Sequence, residues 1–182
     1  PELSDSDTTL LHLWAHSDKY RLGGSALYQS FKLYGGETPD IDDVTQFKVL
    51  FEATQELLDM DFIEALHDIS DGGLITSLIE MALCSNQGLD INLDYSDKEQ
   101  LIPKLFSEEI GLVIEVKNEK LESVRNYLNE KELFFENIAK KNDKKKININ
   151  CFKEEVFSED LITLFNQWSK VSHEIQKIRD SE

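Results

Sequence analysis

Within the run Leu66-His67-Asp68-Ile69-Ser70-Asp71-Gly72-Gly73-Leu74, a possible cation ligand, a hydroxyl and a glycine pair fall into one turn. Asp68 offers a hard carboxylate oxygen of the kind that holds the magnesium travelling with a polyphosphate. Ser70 or Asp71 is a natural N-cap for a following helix, and Gly72 and Gly73 would let a ligand approach the backbone. A helix N-terminus with free N–H groups favours an anion. The chemistry these residues point to is nucleotide binding, while the same pattern also serves as an ordinary turn with a cap.

The elements that must position this turn are legible on both sides of it. Phe62, Ile63, Ala65 and Leu66 read as a short apolar strand or helix end, and Leu74, Ile75, Leu78, Ile79, Met81, Ala82 and Leu83 recur at helical spacing as far as about Asn86. Leu22-Gly23-Gly24-Ser25-Ala26-Leu27 is a second glycine-rich helix start, with Ala26, Leu27, Phe31 and Leu33 continuing to a C-cap near Gly35 and Gly36. Thr9 to Trp14 reads as an entering strand and His16 to Arg21 as a polar turn. Asp40, Asp42 or Asp43 caps a long amphipathic helix from Val44 to Met60.

Gly88 to Leu93 alternates at period two, as a half-buried strand does. Lys98 to Phe106 reads as a short helix broken at Pro103. The turn Ser107-Glu108-Glu109-Ile110-Gly111 leads into Leu112 to Val116, the clearest strand. Leu121 to Leu128 is expected as a helix, Leu133 to Ile138 as extended chain, and Ile147 to Phe152 with Val156 and Phe157 as a hairpin. The tail places Leu161, Leu164, Phe165, Trp168, Val171, Ile175 and Ile178 near heptad spacing; such a helix covers its own sheet or docks to another domain. The pattern is that of one α+β domain over residues 1–182.

Composition narrows the function classes. A chain of 182 residues with 40% hydrophobic content suits one globular domain. With 36 acidic against 19 basic side chains the formal charge is -17, which repels phosphate backbones and argues against nucleic-acid binding. Lys140, Lys141, Lys144, Lys145 and Lys146 lack aromatic partners and read as a solvated loop or hairpin tip. No apolar run approaches the ~20 residues that span a bilayer, so no membrane partner is expected and the chain reads as soluble and cytoplasmic. It opens on Pro1 and a polar segment, the start expected of a piece of a longer protein. Cys84 and Cys151 are expected as buried free thiols, supporting neither zinc nor a disulfide. Of the four histidines, His67 is expected to be a hydrogen-bonded structural residue.

The ordered segments Leu22-Gly23-Gly24-Ser25-Ala26-Leu27, Leu66 to Leu74 and Phe106-Ser107-Glu108-Glu109-Ile110-Gly111, the last running into a valine-rich strand, resemble the phosphoribosylformylglycinamidine synthase family. The likeness runs from about Leu10 to Arg179 and is greatest to the C-terminal half of the second synthetase repeat of its large, single-chain form. Val156-Phe157-Ser158-Glu159 and the Trp168 helix resemble the segment closing that repeat.

The resemblance implies an ATP-dependent, glutamine-dependent carbon–nitrogen ligase of de novo purine synthesis. Such enzymes convert formylglycinamide ribonucleotide, glutamine and ATP into formylglycinamidine ribonucleotide, glutamate, ADP and phosphate. It implies the aminoimidazole ribonucleotide synthetase C-terminal fold, a mixed sheet layered with helices, packing against the remaining domains of the same enzyme. Asp68 then matches a magnesium ligand and Ser70 a nucleotide contact, with Gly72 and Gly73 on the phosphate-facing turn and Gly23, Gly24 and Ser25 weaker candidates for the same cleft. The repeat's site is an auxiliary one holding ATP or ADP with Mg, so no catalytic residue is assigned, and the isolated chain is expected to be inactive. The glutaminase domain and the other magnesium ligands lie outside this chain, and the closing helix begins Leu161-Ile162-Thr163-Leu164 where many relatives place an arginine. One alternative is a structural module that holds nucleotide without a catalytic role; the other is a domain of a selenophosphate synthetase, thiamine monophosphate kinase or hydrogenase maturation factor, which share the fold.

Overall fold

A computed structural model describes residues 1–15, 19–93 and 98–180. The chain runs β1 (Thr8–Trp14), α1 (Ala26–Ser30), α2 (Val44–Asp59), β2 (Ala65–Asp68), α3 (Gly73–Ser85), β3 (Gly88–Leu93), α4 (Leu101–Phe106), β4 (Gly111–Lys117), α5 (Leu121–Glu130), β5 (Phe134–Asn142), β6 (Lys146–Cys151), β7 (Glu154–Asp160) and α6 (Leu161–Arg179). The strands form one seven-stranded sheet in the order β2-β4-β1-β5-β3-β6-β7. Every pairing is antiparallel except β3 with β6, which makes the sheet mixed.

Strand β1 lies inside the sheet between β4 and β5 and is buried along its whole length. Its residues alternate between two cores, as the period-two geometry of a strand requires. Leu10 joins Val113, Leu89, Ile91, Ile147 and Ile149 beneath α3 and α4. Leu11 and Leu13 join Ile114 and Val116 beneath α2 and α5, through Leu50, Ala53, Leu57, Val124 and Leu128. The α+β layering read from the sequence is therefore present, with helices on both faces.

Several expectations need correction. Helix α1 stops at Ser30 rather than near Gly35: Lys32 takes φ 55° and the Leu33 N–H closes back on Tyr28 O at 2.8 Å. Gly36 and Glu37 instead pass against Gly23, whose N–H donates to Glu37 O at 2.8 Å. Pro103 does not break a helix. It sits in the first turn of α4, where its missing N–H has no intrahelical partner to lose, and the irregularity is a 3-10 turn at Lys98–Gln100. Cys84 is exposed, at the C-terminal end of α3, whereas Cys151 is the buried free thiol expected. The lysine cluster is not one solvated tip, because β5 and β6 both pair with β3 and Lys141 is drawn inward. Asp43 is the cap of α2, accepting from the N–H groups of Thr45 and Gln46. His16 lies outside the described residues.

Lys141 meets a carboxylate that has no exposure at all. Glu115, on β4, accepts from the Ser4 N–H at 2.9 Å, Ser4 Oγ at 3.1 Å, Thr8 Oγ1 at 2.6 Å and Lys141 Nζ at 2.9 Å. Lys141 Nζ also donates to the carbonyl oxygens of Ser4 and Ser6. This network ties the N-terminal segment across β1, β4 and β5. Removing one partner of such a buried pair strands the other, so Glu115→Ala is expected to lower the unfolding free energy by about 3–5 kcal/mol. Urea denaturation checks this; a loss under ~1 kcal/mol, the value of an exposed ion pair, would contradict it.

Candidate functional site

The three motif segments meet at one end of the sheet. At the end of β2 the Ile69 N–H donates to Gly111 O at 2.9 Å, and past β1 the Ala15 N–H donates to Ile110 O at 3.4 Å. The Ser107–Gly111 turn therefore lies beside both glycine-rich helix starts, and Glu108 joins them. Its Oε1 accepts from the Ala26 N–H at 2.8 Å, at the start of α1, and from the Gly72 N–H at 2.8 Å, at the start of α3. A carboxylate is the favoured occupant of such a position, because the first-turn amides of a helix have no intrahelical acceptor and carry its positive dipole end.

Glu109, the next residue, turns to a cation instead. Its Oε1 accepts from the backbone N–H of Arg21 at 3.0 Å and from Nε at 2.7 Å, and its Oε2 accepts from Nη2 at 2.7 Å. Arg21 also pairs with Asp42 at 3.0 Å and donates to Asp40 O at 3.0 Å. The Glu109 hydrogen bonds, above all, hold the guanidinium pKa well above its ordinary value. The bidentate geometry fixes the chain just ahead of Gly23.

The expected cap of α3 is replaced. Neither Ser70 nor Asp71 caps it; Gly72 is the N-cap at φ 92°, a left-handed conformation in which glycine meets no Cβ penalty. Gly73 is buried at φ 76°, and a Cβ there would fall 2.7 Å from Phe106 C and 2.7 Å from Ser107 O. Close packing of α3 against the end of α4 thus requires glycine here. Its N–H donates to Ser70 O at 2.9 Å, so the amides of both glycines are satisfied within the chain.

Asp68 ends β2 with its side chain 73% exposed. Its backbone is held firmly: Asp68 O accepts from Ser77 Oγ at 2.9 Å and lies 2.7 Å from His67 Nδ1. His67 Nε2 is 3.2 Å from Glu80, which bears out a hydrogen-bonded structural histidine. Ser70 is half-buried two residues on. Asp68 at the braced strand end and Ser70 on the turn after it thus stand beside the two glycines. Among the described residues no three His, Cys, Asp or Glu side chains gather as a metal cage.

No motif marks Glu108, Glu109 and Arg21 individually, and their sequence signals are the acidic pair ahead of Gly111 and the arginine ahead of Gly23. A buried cluster on the α4 face carries no sequence signature. Lys104, with no side-chain exposure, places Nζ 2.7 Å from Glu136 Oε1, 3.3 Å from Tyr20 Oη and 4.4 Å from the Trp14 ring centre. His12 Nδ1 is 3.1 Å from the same Glu136 oxygen, and its ring stacks on Trp14 at 4.9 Å.

Burial lowers the His12 pKa and the Lys104 charge adds to this, outweighing the opposing hydrogen bond with Glu136. Burial alone would raise Glu136, but the His12 hydrogen bond and the Lys104 charge leave it below the usual carboxylate range. In the window between the lowered His12 value and its ordinary 6.5 the unfolded chain binds the extra proton, so stability falls as pH drops below about 6.5. Glu136 adds a further loss below about 4.5. Urea midpoints are expected to fall between pH 7.5 and 5.5 more steeply for the native chain than for His12→Gln; equal slopes would contradict this assignment.

The family described as AIR synthase related protein, C-terminal domain, matches residues 14–151. A probable phosphoribosylformylglycinamidine synthase, chloroplastic/mitochondrial, of Arabidopsis thaliana is 36% identical over 98% of this chain, which spans 13% of that relative. The phosphoribosylformylglycinamidine synthase of Saccharomyces cerevisiae is 34% identical over 97% of the chain, spanning 14% of its length. The chain thus covers about a seventh of these relatives. Among solved structures, Thermotoga maritima PurL complexed with FGAR superposes with a TM-score of 0.73 at 18% identity, over 90% of this chain and 28% of that one. Escherichia coli HypE, a hydrogenase maturation protein, gives 0.57 at 19% identity, over 88% and 51%. These structural likenesses show the shared fold.

Proposed function

Because the chain belongs to the AIR synthase related protein C-terminal domain family, we propose that it is one domain of a longer phosphoribosylformylglycinamidine synthase and helps hold an auxiliary magnesium nucleotide. The observation that carries the reading is the 36% and 34% identity to such synthases over nearly the whole chain. In the assembled enzyme, formylglycinamide ribonucleotide, glutamine and ATP would be converted to formylglycinamidine ribonucleotide, glutamate, ADP and phosphate. Its other domains would supply the glutaminase, and a cytoplasmic location belongs to the same proposal. Among the described residues, no helix is long and apolar enough to cross a membrane.

Asp68 would give one carboxylate oxygen to magnesium, and Ser70 a hydroxyl to the nucleotide. Magnesium commonly takes one or two carboxylates together with phosphate oxygens and water, so one exposed aspartate at a braced strand end fits as part of such a set. Gly72 and Gly73 would shape the turn rather than offer free amides, since Glu108 and Ser70 O already accept from them. Bound magnesium would screen the phosphate charge, allowing an anion to lie near an acidic domain. A role in another superfamily member, such as a selenophosphate synthetase or thiamine monophosphate kinase, is the second reading; the identity to the purine synthases favours the first.

Replacing Asp68 with Asn in the full-length protein tests the reading. The expected result is a fall of at least tenfold in magnesium-dependent nucleotide affinity and a lower melting temperature, with near-normal turnover per folded molecule. Unchanged nucleotide affinity, or loss of turnover in a protein that keeps its nucleotide and its melting temperature, would contradict it.

A further inference from the structure

Helix α6 carries one apolar stripe, only part of which has a partner in this structure. Leu161, Leu164, Trp168, Val171, Ile175 and Ile178 follow one another at alternating steps of three and four, a two-position heptad seam. Its start is seated: Leu161 is 4% exposed and Leu164 packs on the core beneath α3. Trp168 is the hinge point, its Nε1 donating to Glu80 on α3 at 3.3 Å while 59% of the residue is exposed. Beyond it the same seam runs on with Val171 67%, Ile175 62% and Ile178 71% exposed. An isolated overhanging helix gains little from propensity alone, so a seam of this kind calls for a second surface.

We propose that the distal seam of α6, from Trp168 to Ile178, docks against an apolar helix of a further domain of the same polypeptide. The inference rests on the reading of the chain as one domain of a longer synthase, and it names the surface that the rest of the protein uses. Three observations choose this occupant over a second copy. The bare seam offers roughly 500 Å² of apolar side chain, so pairing two copies would bury about 1,000 Å², short of the ~1,200–2,000 Å² of a stable dimer. That area suits an interface between domains of one chain, about 600–1,500 Å², where the tether supplies an effective concentration in the millimolar range. Two copies would also each bring a formal charge of -17, so they repel before contact. Further, the yeast and plant synthases align over 97% and 98% of this chain although it spans only 14% and 13% of their length; α6 therefore recurs where much more polypeptide is available to cover it.

Hydrogen exchange of the full-length protein and of the 182-residue chain, compared peptide by peptide, tests the proposal. Peptides covering Trp168 to Ile178 are expected to exchange at least tenfold more slowly in the full-length protein. The double substitution Val171→Asp, Ile175→Asp in that protein should restore the faster rate while leaving peptides of β1 unchanged. Equal rates in the two wild-type proteins would overturn the proposal, as would protection in the short chain that grows with its concentration, the mark of a second copy. If the double variant fails to fold, the comparison of the wild-type proteins still decides. Failure here leaves the Asp68→Asn result untouched, so a wrong docking surface and a wrong nucleotide reading give different outcomes.

Discussion

Two helices of this chain begin within reach of a single carboxylate oxygen. Glu108 Oε1 accepts from Ala26 and from Gly72, and those amides belong to segments 46 residues apart in sequence. Each amide is one that helix geometry leaves without an acceptor, so an unsatisfied pair at these positions would be costly. One oxygen meeting both demands makes the relative position of the two glycine turns a consequence of where Glu108 stands. Glu109 extends the constraint in the opposite electrical sense, gripping the Arg21 guanidinium with both oxygens and thereby fixing the strand of chain that leads to Gly23.

That arrangement depends in turn on the sheet. β4 carries the acidic turn at its start and Glu115 in its middle, and it pairs with β1 on one side and β2 on the other. The strand end that supports Glu108 is therefore in register with the end of β2, where Asp68 stands. The two cores act on opposite faces of this frame: Leu11, Leu13 and Ile114 under α2 and α5, Leu10 and Val113 under α3 and α4. Gly73 lets α3 reach the frame closely enough for its start to meet Glu108, since any Cβ would strike the end of α4. Burial supplies the driving force, and the few charged contacts decide which loops meet.

Periodicity carried most of this architecture. β1, α2, α3, β3, β4, α5 and α6 lie where apolar runs or helical spacing placed them: β1 and β4 feed both cores, α2, α3 and α5 each bury one face against a core, and α6 seats its start. Local chemistry was harder to read where a long-range partner overrode it. Ser70 and Asp71 are good caps in isolation, yet the chain turns through Gly72 and takes its capping carboxylate from Glu108, 36 residues away. Pro103 looked like a break because its place in the first turn of α4 depends on where that helix starts. Asp68 ends β2 and Ser70 stands on the turn that follows it, whereas Lys104, His12 and Glu136 come from three separated elements and share no motif. The seam of α6 was visible as a heptad pattern; which part of it is covered follows only from the reach of α3.

The central claim, that one carboxylate sets both helix starts, is tested most directly by following hydrogen exchange at the Ala26 and Gly72 amides in the native chain and in Glu108→Ala. Both amides donate to the same oxygen, so both are expected to lose protection together in the variant. Loss at one amide alone, or protection of both that survives the substitution, would contradict the account.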